Sequence, residues 1–139
     1  MSTLAIVMIV KNEEESLSRC LKQAAGLADK LYITDTGSTD GTREIAAAHG
    51  AVITEYVWNQ DFASARNFAL AQSDCDWNLV LDADEYLLRG SRKDLEEFLK
   101  QGDRIGAIER KDYYMEELPG GRQEMSYAHS YTSRLLPKG

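Results

Sequence analysis

The chain has no apolar run long enough to cross a membrane. Its longest, Leu4 to Val10, has seven residues, against roughly 20 for a spanning helix. That run lacks a basic lead-in and a small-residue cleavage site, and Lys11-Asn12-Glu13-Glu14-Glu15 follows it. It reads as a first strand rather than a signal peptide. The expected residence is cytoplasmic, at most peripheral at the inner membrane face. Cysteine is scarce. Cys20 and Cys75 form no CxxC pair, so reduced, structural thiols are expected. His49 and His129 add no metal-ligand spacing to them. Basic residues are in deficit, 16 against 23 acidic, for a formal net charge of −7. That argues against nucleic-acid binding, which depends on neutralising phosphates. A small phosphorylated ligand stays open, because a metal or a local arginine can reverse the field in one pocket.

What is present suits one folded domain. The 139 residues are 43% hydrophobic and 28% charged, ordinary for a globular chain with a real core. Short apolar runs alternate with helical patterns. Leu4 to Val10 is a strand. Glu14 to Ala28 is a helix with Leu17, Cys20, Leu21 and Ala24 on one face. Leu31 to Thr34 is a strand ending at Asp35, and a turn-rich loop leads into a helix reaching His49. Ala51 to Val57 is a third strand, and Asp61 caps a helix from Phe62 to Gln72. Trp77 to Leu81 is a fourth strand, followed by a short helix capped by Ser91 and reaching Lys100. Four strand–helix repeats predict right-handed crossovers and a mostly parallel sheet flanked by helices. Beyond Gly102 the texture changes. Ile105 to Tyr114 and Ser126 to Leu136, joined through Leu118-Pro119-Gly120-Gly121, predict a C-terminal antiparallel β-arm. Its exposed edges could pair with another chain, which would make a homodimer.

The sharpest chemical signal is Trp77-Asn78-Leu79-Val80-Leu81-Asp82-Ala83-Asp84-Glu85. An apolar strand delivers three carboxylates to its carboxyl end, where open α/β sheets bind ligands. Residues two apart on a strand share a face, so Asp82 and Asp84 are expected to converge on one ion. Mg²⁺ or Mn²⁺ suits a pair of carboxylates completed by substrate phosphates. The plain alternative is a solvated turn capped by Asp84 or Glu85.

Asp35-Thr36-Gly37-Ser38-Thr39-Asp40-Gly41-Thr42 is the second signal, again at a strand end and opening a helix. Gly37 and Gly41 let the backbone approach a ligand, and the helix N-terminus favours an anion. No Gly-Lys-Ser/Thr follows, so it is not a Walker loop. Capping by Thr39 or Asp40 is the plain reading. Arg66, on the third helix, could clamp a diphosphate beside an acidic rim. Asn12 and Glu13 follow the first strand and would line the same rim, although Glu13 to Glu15 also suit a first helical turn.

Together, IVKNEEESLSRCL, ITDTGSTDGT, DFASARNFAL and WNLVLDADE resemble, in order and spacing, the inverting family 2 glycosyltransferases of GT-A fold. The likeness is to the bacterial branch carrying KNEE, DTGSTDxT, aRN and lDADE, and it runs from Ala5 to Tyr86. The resemblance implies a nucleotide-diphospho-sugar transferase of Rossmann-like α/β architecture, using a UDP- or GDP-type sugar and Mn²⁺ or Mg²⁺. It implies that Asp35 meets the base, with Asn12, Glu13, Gly37 and Ser38 around the nucleotide. Arg66 would approach the diphosphate, Asp82 the ribose or metal-bound diphosphate, and Asp84 the metal.

The chain departs from the family pattern in its second half. Family members activate the acceptor with a carboxylate well downstream of the Asp-x-Asp. Only 55 residues follow Asp84. Arg134-Leu135-Leu136 resembles an Arg-Leu-Phe segment that precedes a Gly-x-x-His-Glu stretch in the branch. Glu116 and Glu117 precede a Pro-Gly-Gly turn and are expected to be exposed. The expectation is therefore one domain, with a nucleotide-binding part over 1–86 and a partial acceptor side over 87–139, belonging to a longer enzyme whose base lies beyond Gly139. Two other readings are a non-catalytic nucleotide-sugar-binding module and an Asp-x-Asp phosphatase of haloacid-dehalogenase type. In the phosphatase, Asp82 would be a nucleophile and Asp35-Thr36-Gly37-Ser38 would have no role.

Overall fold

Strand β1, Leu4–Val10, is buried almost throughout. That is the expected state of a continuous apolar strand covered on both faces. The computed structural model describes residues 2–85, 92–100 and 106–138, with 94, 107–114 and 127–133 described by backbone alone. The order is β1, α1 (Leu17–Ala24), β2 (Lys30–Asp35), α2 (Thr42–Ala48), β3 (Val52–Glu55), α3 (Phe62–Ala71), β4 (Trp77–Val80), α4 (Arg92–Leu99), β5 (Gly106–Glu117) and β6 (Gln123–Pro137). The strands form one sheet in the order β3-β2-β1-β4-β6-β5. β1 to β4 pair in parallel, while β6 runs antiparallel to β4 and β5 antiparallel to β6.

The alternation of β1 divides the core. Leu4, Ile6, Met8 and Val10 pack with Leu17, Cys20 and Leu21 of α1, Ala46 of α2 and Leu99 of α4. Ala5 and Val7 pack on the opposite face with Ala69 of α3. The chain steps outward from β1 to β3 with its helices on one face, then returns past β1 with α3 on the other. That arrangement keeps the crossovers of one hand. It also creates a switch point between β1 and β4, where the carboxyl ends open a crevice.

Several expected boundaries shift. Helix α1 starts at Leu17 rather than Glu14, because the Glu13 carbonyl accepts from the Ser16 and Leu17 amides in a turn. Strand β3 stops at Glu55. One more sheet bond, from the Tyr56 amide to the Asp35 carbonyl, follows before Val57 turns out to solvent. Asp61 caps α3 as expected, its side chain accepting from the Ser64 amide at 3.1 Å. The expected cap Ser91 lies outside the described residues. The C-terminal hairpin forms, and β6 is a member of the main sheet, pairing with β4 over Leu79↔Leu135 to Trp77↔Pro137. Both Gly120 and Gly121 take positive φ in its turn, the conformation glycine adopts without strain.

Candidate donor site at the switch point

Asp35 ends β2 and is 1% exposed. Its Oδ2 accepts from the Gly37 amide at 3.1 Å, the Ser38 amide at 3.0 Å and Arg43 Nε at 2.9 Å. Its Oδ1 is buried and has no partner. Burial pushes the Asp35 carboxyl up, and the hydrogen bonds from Ser38, Gly37 and Arg43 outweigh it, leaving the group below its usual range. Gly37 has a φ of 118°, which lets the loop fold back so that two amides reach one oxygen.

Asn12 and Glu13 hold that loop against the end of β1. Asn12 itself sits at a φ of 52°, a left-handed conformation asparagine tolerates better than most residues. Its amide donates to Ser38 Oγ at 2.9 Å, and its side-chain oxygen accepts from the Thr39 amide at 2.8 Å. The Glu13 amide donates to Thr42 Oγ1 at 2.8 Å. At the start of α2 the structure shows the capping by Asp40 that was the plain alternative to an anion site. The Gly41 amide is taken by Glu14 Oε2 and the Thr42 amide by Asp40 Oδ1, so carboxylates of the chain itself occupy those donors.

At the other side of the crevice, the strand argument for Asp82 and Asp84 needs correction. β4 ends at Val80, and the two residues lie in a tight turn closed by the Glu85 amide on the Asp82 carbonyl at 3.0 Å. Glu85 secures the turn. Its Oε1 accepts from the Asp82 amide at 2.8 Å and from Arg134 Nη1 at 2.9 Å. The Asp82 carboxylate, 45% exposed, lies between two guanidiniums, with Arg66 Nη2 at 3.9 Å and Arg134 Nη2 at 3.6 Å. Asp84 is exposed, and no side-chain hydrogen bond or ion pair holds it among the described residues.

Arg66 stands over the Phe62 ring, 5.0 Å from its centroid, and its Nε is buried without a partner. Burial lowers its pKa, against the opposing effect of Asp82; a guanidinium keeps its proton regardless. Cys20 lies beneath the turn, its Sγ 3.8 Å from the Asp82 carbonyl oxygen. Burial, then Glu85, pushes its thiol up to about 11, so it stays protonated. Both cysteines are free and buried.

The fold thus gathers Asp35, Gly37, Ser38, Asn12 and Glu13 at the carboxyl ends of β1 and β2. Arg66, Asp82 and Asp84 lie at the carboxyl end of β4. No group of three or more potential metal ligands exists among the described residues. Two carboxylates with hard oxygen donors, one of them unpartnered, fit a Mg²⁺ or Mn²⁺ ion that takes its remaining ligands from phosphate and water. Two arginines take roles that the sequence does not assign them: Arg43 is in none of the expected site residues, and Arg134 enters only through its likeness to the Arg-Leu-Phe segment. Arg43 bridges Asp35 and Glu55, with Nη1 at 2.8 Å from Glu55 Oε1. Arg134, 11% exposed at its side chain, binds the Val80 carbonyl at 3.1 Å as well as Glu85. The available signals were weak: a basic residue one turn beyond a strand-end aspartate, and an arginine beside an apolar strand end.

Residues 5–138 match the family model described as glycosyl transferase family 2. A TPR repeat-containing protein of Synechococcus elongatus is 37% identical over 123 residues, 88% of this chain and 30% of its own length. The lipopolysaccharide core biosynthesis glycosyltransferase LpsC of Rhizobium meliloti is 32% identical over 106 residues, 73% of this chain and 39% of its own. The chain therefore spans between 30% and 39% of these two relatives. Among solved structures, the mannosyltransferase PcManGT of Pyrobaculum calidifontis, in complex with GDP-Man and Mn²⁺, superposes with a TM-score of 0.62 at 19% identity, over 76% of this chain and 34% of that one. Glucosyl-3-phosphoglycerate synthase of Mycobacterium tuberculosis, with Mn²⁺, UDP and glucosyl-3-phosphoglycerate, gives 0.54 at 23% identity, over 61% and 36%. These two likenesses show the fold, which is GT-A. No helix among the described residues is long and apolar enough to cross a membrane.

Proposed function

The chain belongs to glycosyltransferase family 2, and on that footing we propose that it forms the donor-binding part of an inverting, metal-assisted glycosyltransferase using a UDP- or GDP-type sugar. The observation that carries this is the turn after β4. It presents Asp84 without a partner among the described residues, beside an Asp82 carboxylate set between two guanidiniums, one strand away from β1 at the switch point.

Each residue has a role in that reading. Asp35 meets the base from its unpartnered Oδ1. Gly37 and Ser38 fix Asp35 through their amides, and Asn12 and Glu13 fix the loop that carries them. Asp84 and Asp82 hold a divalent ion, which when bound neutralises the departing nucleoside diphosphate as an acceptor hydroxyl attacks the anomeric carbon. Arg66 and Arg134 exchange their loose contacts with Asp82 for diphosphate oxygens, a geometry guanidinium suits. The base that deprotonates the acceptor, and the acceptor itself, belong to the whole protein and are assigned to no residue here. A cytoplasmic setting, at most at the inner membrane face, is part of the same proposal. So is pairing of two copies through the free edge of β5.

Titration calorimetry with UDP and GDP, with and without Mn²⁺, tests the proposal. Binding that depends on the metal is expected for one of the two. Absence of metal-linked binding to either would sink it. Metal-linked binding of the intact sugar nucleotide, without hydrolysis or transfer even in the full reading frame, would favour a binding module instead.

A further inference from the structure

Asp35 carries its charge unevenly. Oδ2 takes two backbone amides and two nitrogens of one guanidinium, Arg43 Nε at 2.9 Å and Nη2 at 2.9 Å. Oδ1, on the same 1% exposed residue, takes none. A buried carboxylate oxygen without a donor costs free energy. Rotation about the Cβ–Cγ bond would share the donors, yet the guanidinium and the two amides converge on one oxygen and oppose it. Arg43 is held in turn, because its third nitrogen lies 2.8 Å from Glu55 Oε1. Glu55 is the register partner of Asp35 on β3.

We infer that Arg43, steadied by Glu55, is a positioning residue of the nucleotide site, holding the Asp35 carboxylate so that Oδ1 is left as the acceptor for an N–H of the base. The inference rests on the nucleotide-site reading above. Arg43 need not touch the nucleotide. It acts through Asp35, and it does so in two ways. It orients the carboxylate, and with Ser38 and Gly37 it favours the ionised form against the cost of burial. The charged groups around Asp35 are Arg43 from α2 and, through it, Glu55 from β3. From β1 its register partner is the apolar Val10.

The sign follows from these contacts. In the wild type, Asp35 titrates below its usual range, so a base N–H finds an acceptor throughout ordinary pH. Removing Arg43 leaves the burial in place and deletes a donor, so the folded pKa rises. Affinity is then lost as pH falls through that higher value.

The test is calorimetry of whichever of Mn²⁺–UDP and Mn²⁺–GDP the wild type binds, between about pH 4.5 and 7.5, on wild type, Arg43→Gln, Arg43→Lys and Glu55→Gln. The titration of phosphate and metal is common to all four proteins and cancels in the affinity ratio. Arg43→Gln is expected to bind about ten-fold more weakly at neutral pH and to fall away further on the acid side. Arg43→Lys should recover the acid limb but not all of the neutral affinity, since it keeps the charge and loses the fork. Glu55→Gln, at an exposed site that tolerates change, should move the profile the same way by less. A ratio that stays flat with pH in Arg43→Gln, with wild-type melting, would overturn the inference and leave the nucleotide site standing. Failure of the wild type to bind either nucleotide would remove both.

Discussion

The rim built by β1 to β4 and the hairpin of β5 and β6 are held by different means. At the rim, neighbouring loops are tied by many short bonds between side chains and backbone. Asn12, Glu13 and Glu14 each bond the loop spanning Ser38 to Thr42. The hairpin instead meets the rest of the sheet over three register pairs on β4. From Ser133 to Gln123, β6 pairs with β5 alone, and an isolated two-stranded ribbon is only marginally stable in water. The two regions join at Arg134, the β6 residue next to the stretch paired with β4, which ties that strand to the Asp82–Glu85 turn. Asp84, exposed at the rim, can therefore be removed at little structural cost, whereas Arg134 at the junction carries a large share of the hairpin's attachment.

The largest expected effect separates binding from stability. Asp84→Ala should abolish metal-dependent binding of UDP or GDP while leaving the unfolding free energy within about 0.5 kcal/mol, because the carboxylate is exposed and unpartnered. Calorimetry beside urea denaturation checks both halves. A marked loss of stability would mean that Asp84 supports the turn rather than a ligand.

Arg134→Ala tests the junction. It removes the side-chain donor from the Val80 carbonyl, takes one cationic donor from Glu85, and leaves Asp82 with one cation fewer. Deleting one partner of a largely buried pair should cost about 3 kcal/mol in denaturant unfolding. If the loss stays under about 1 kcal/mol, typical of surface pairs, the hairpin is anchored by its backbone pairing and the contrast drawn above weakens.

How much of this was legible in the sequence follows the same division. β1 could be found because a strand buried on both faces is apolar without interruption. The faces of α1 could be found because Leu17, Cys20, Leu21 and Ala24 repeat at helical spacing. Asp35, Asp82 and Asp84 stand at or just past strand ends, where local pattern points, while Arg66 lies in mid-helix and is marked by its place in the DFASARNFAL motif. The start of α1 differs because Glu13 to Glu15 look like a charged first turn, yet Glu13 and Glu14 bond another loop. Arg43, and the role of Arg134 within its family-like Arg-Leu-Leu segment, stay hidden for a related reason. A lone arginine on a helix or strand carries no local signal, and Arg134 finds Glu85 across 49 residues of chain. Only the pairing of β6 with β4 brings them together.

A smaller effect probes the packing at that junction. A Cβ at Gly106 would lie 2.9 Å from Leu135 Cβ and 3.1 Å from Phe98 Cε1. Leu135 is buried, and its Cβ cannot swing aside as a flexible side-chain end could. Gly106→Ala should therefore cost about 1–3 kcal/mol, as overpacking does, read in the same unfolding assay. Nucleotide affinity in the folded protein should be unchanged, since neither residue faces the crevice walls.

The smallest expected effect lies at the far end of the hairpin. Glu116 and Glu124 are register partners across β5 and β6, and both are exposed. Like charges directly opposite on a ribbon repel, by a few tenths of a kcal/mol. Glu116→Ala should therefore leave nucleotide binding as it is and raise stability slightly, by about 0.3 kcal/mol, with the gain shrinking at high salt. Glu116 is also one of the carboxylates downstream of Asp84, the stretch in which the family pattern expects an acceptor-activating base. If Glu116→Ala instead weakened nucleotide binding as much as Asp84→Ala, the ribbon tip would have to reach the crevice. The separation of a binding rim from a structural hairpin would then be wrong.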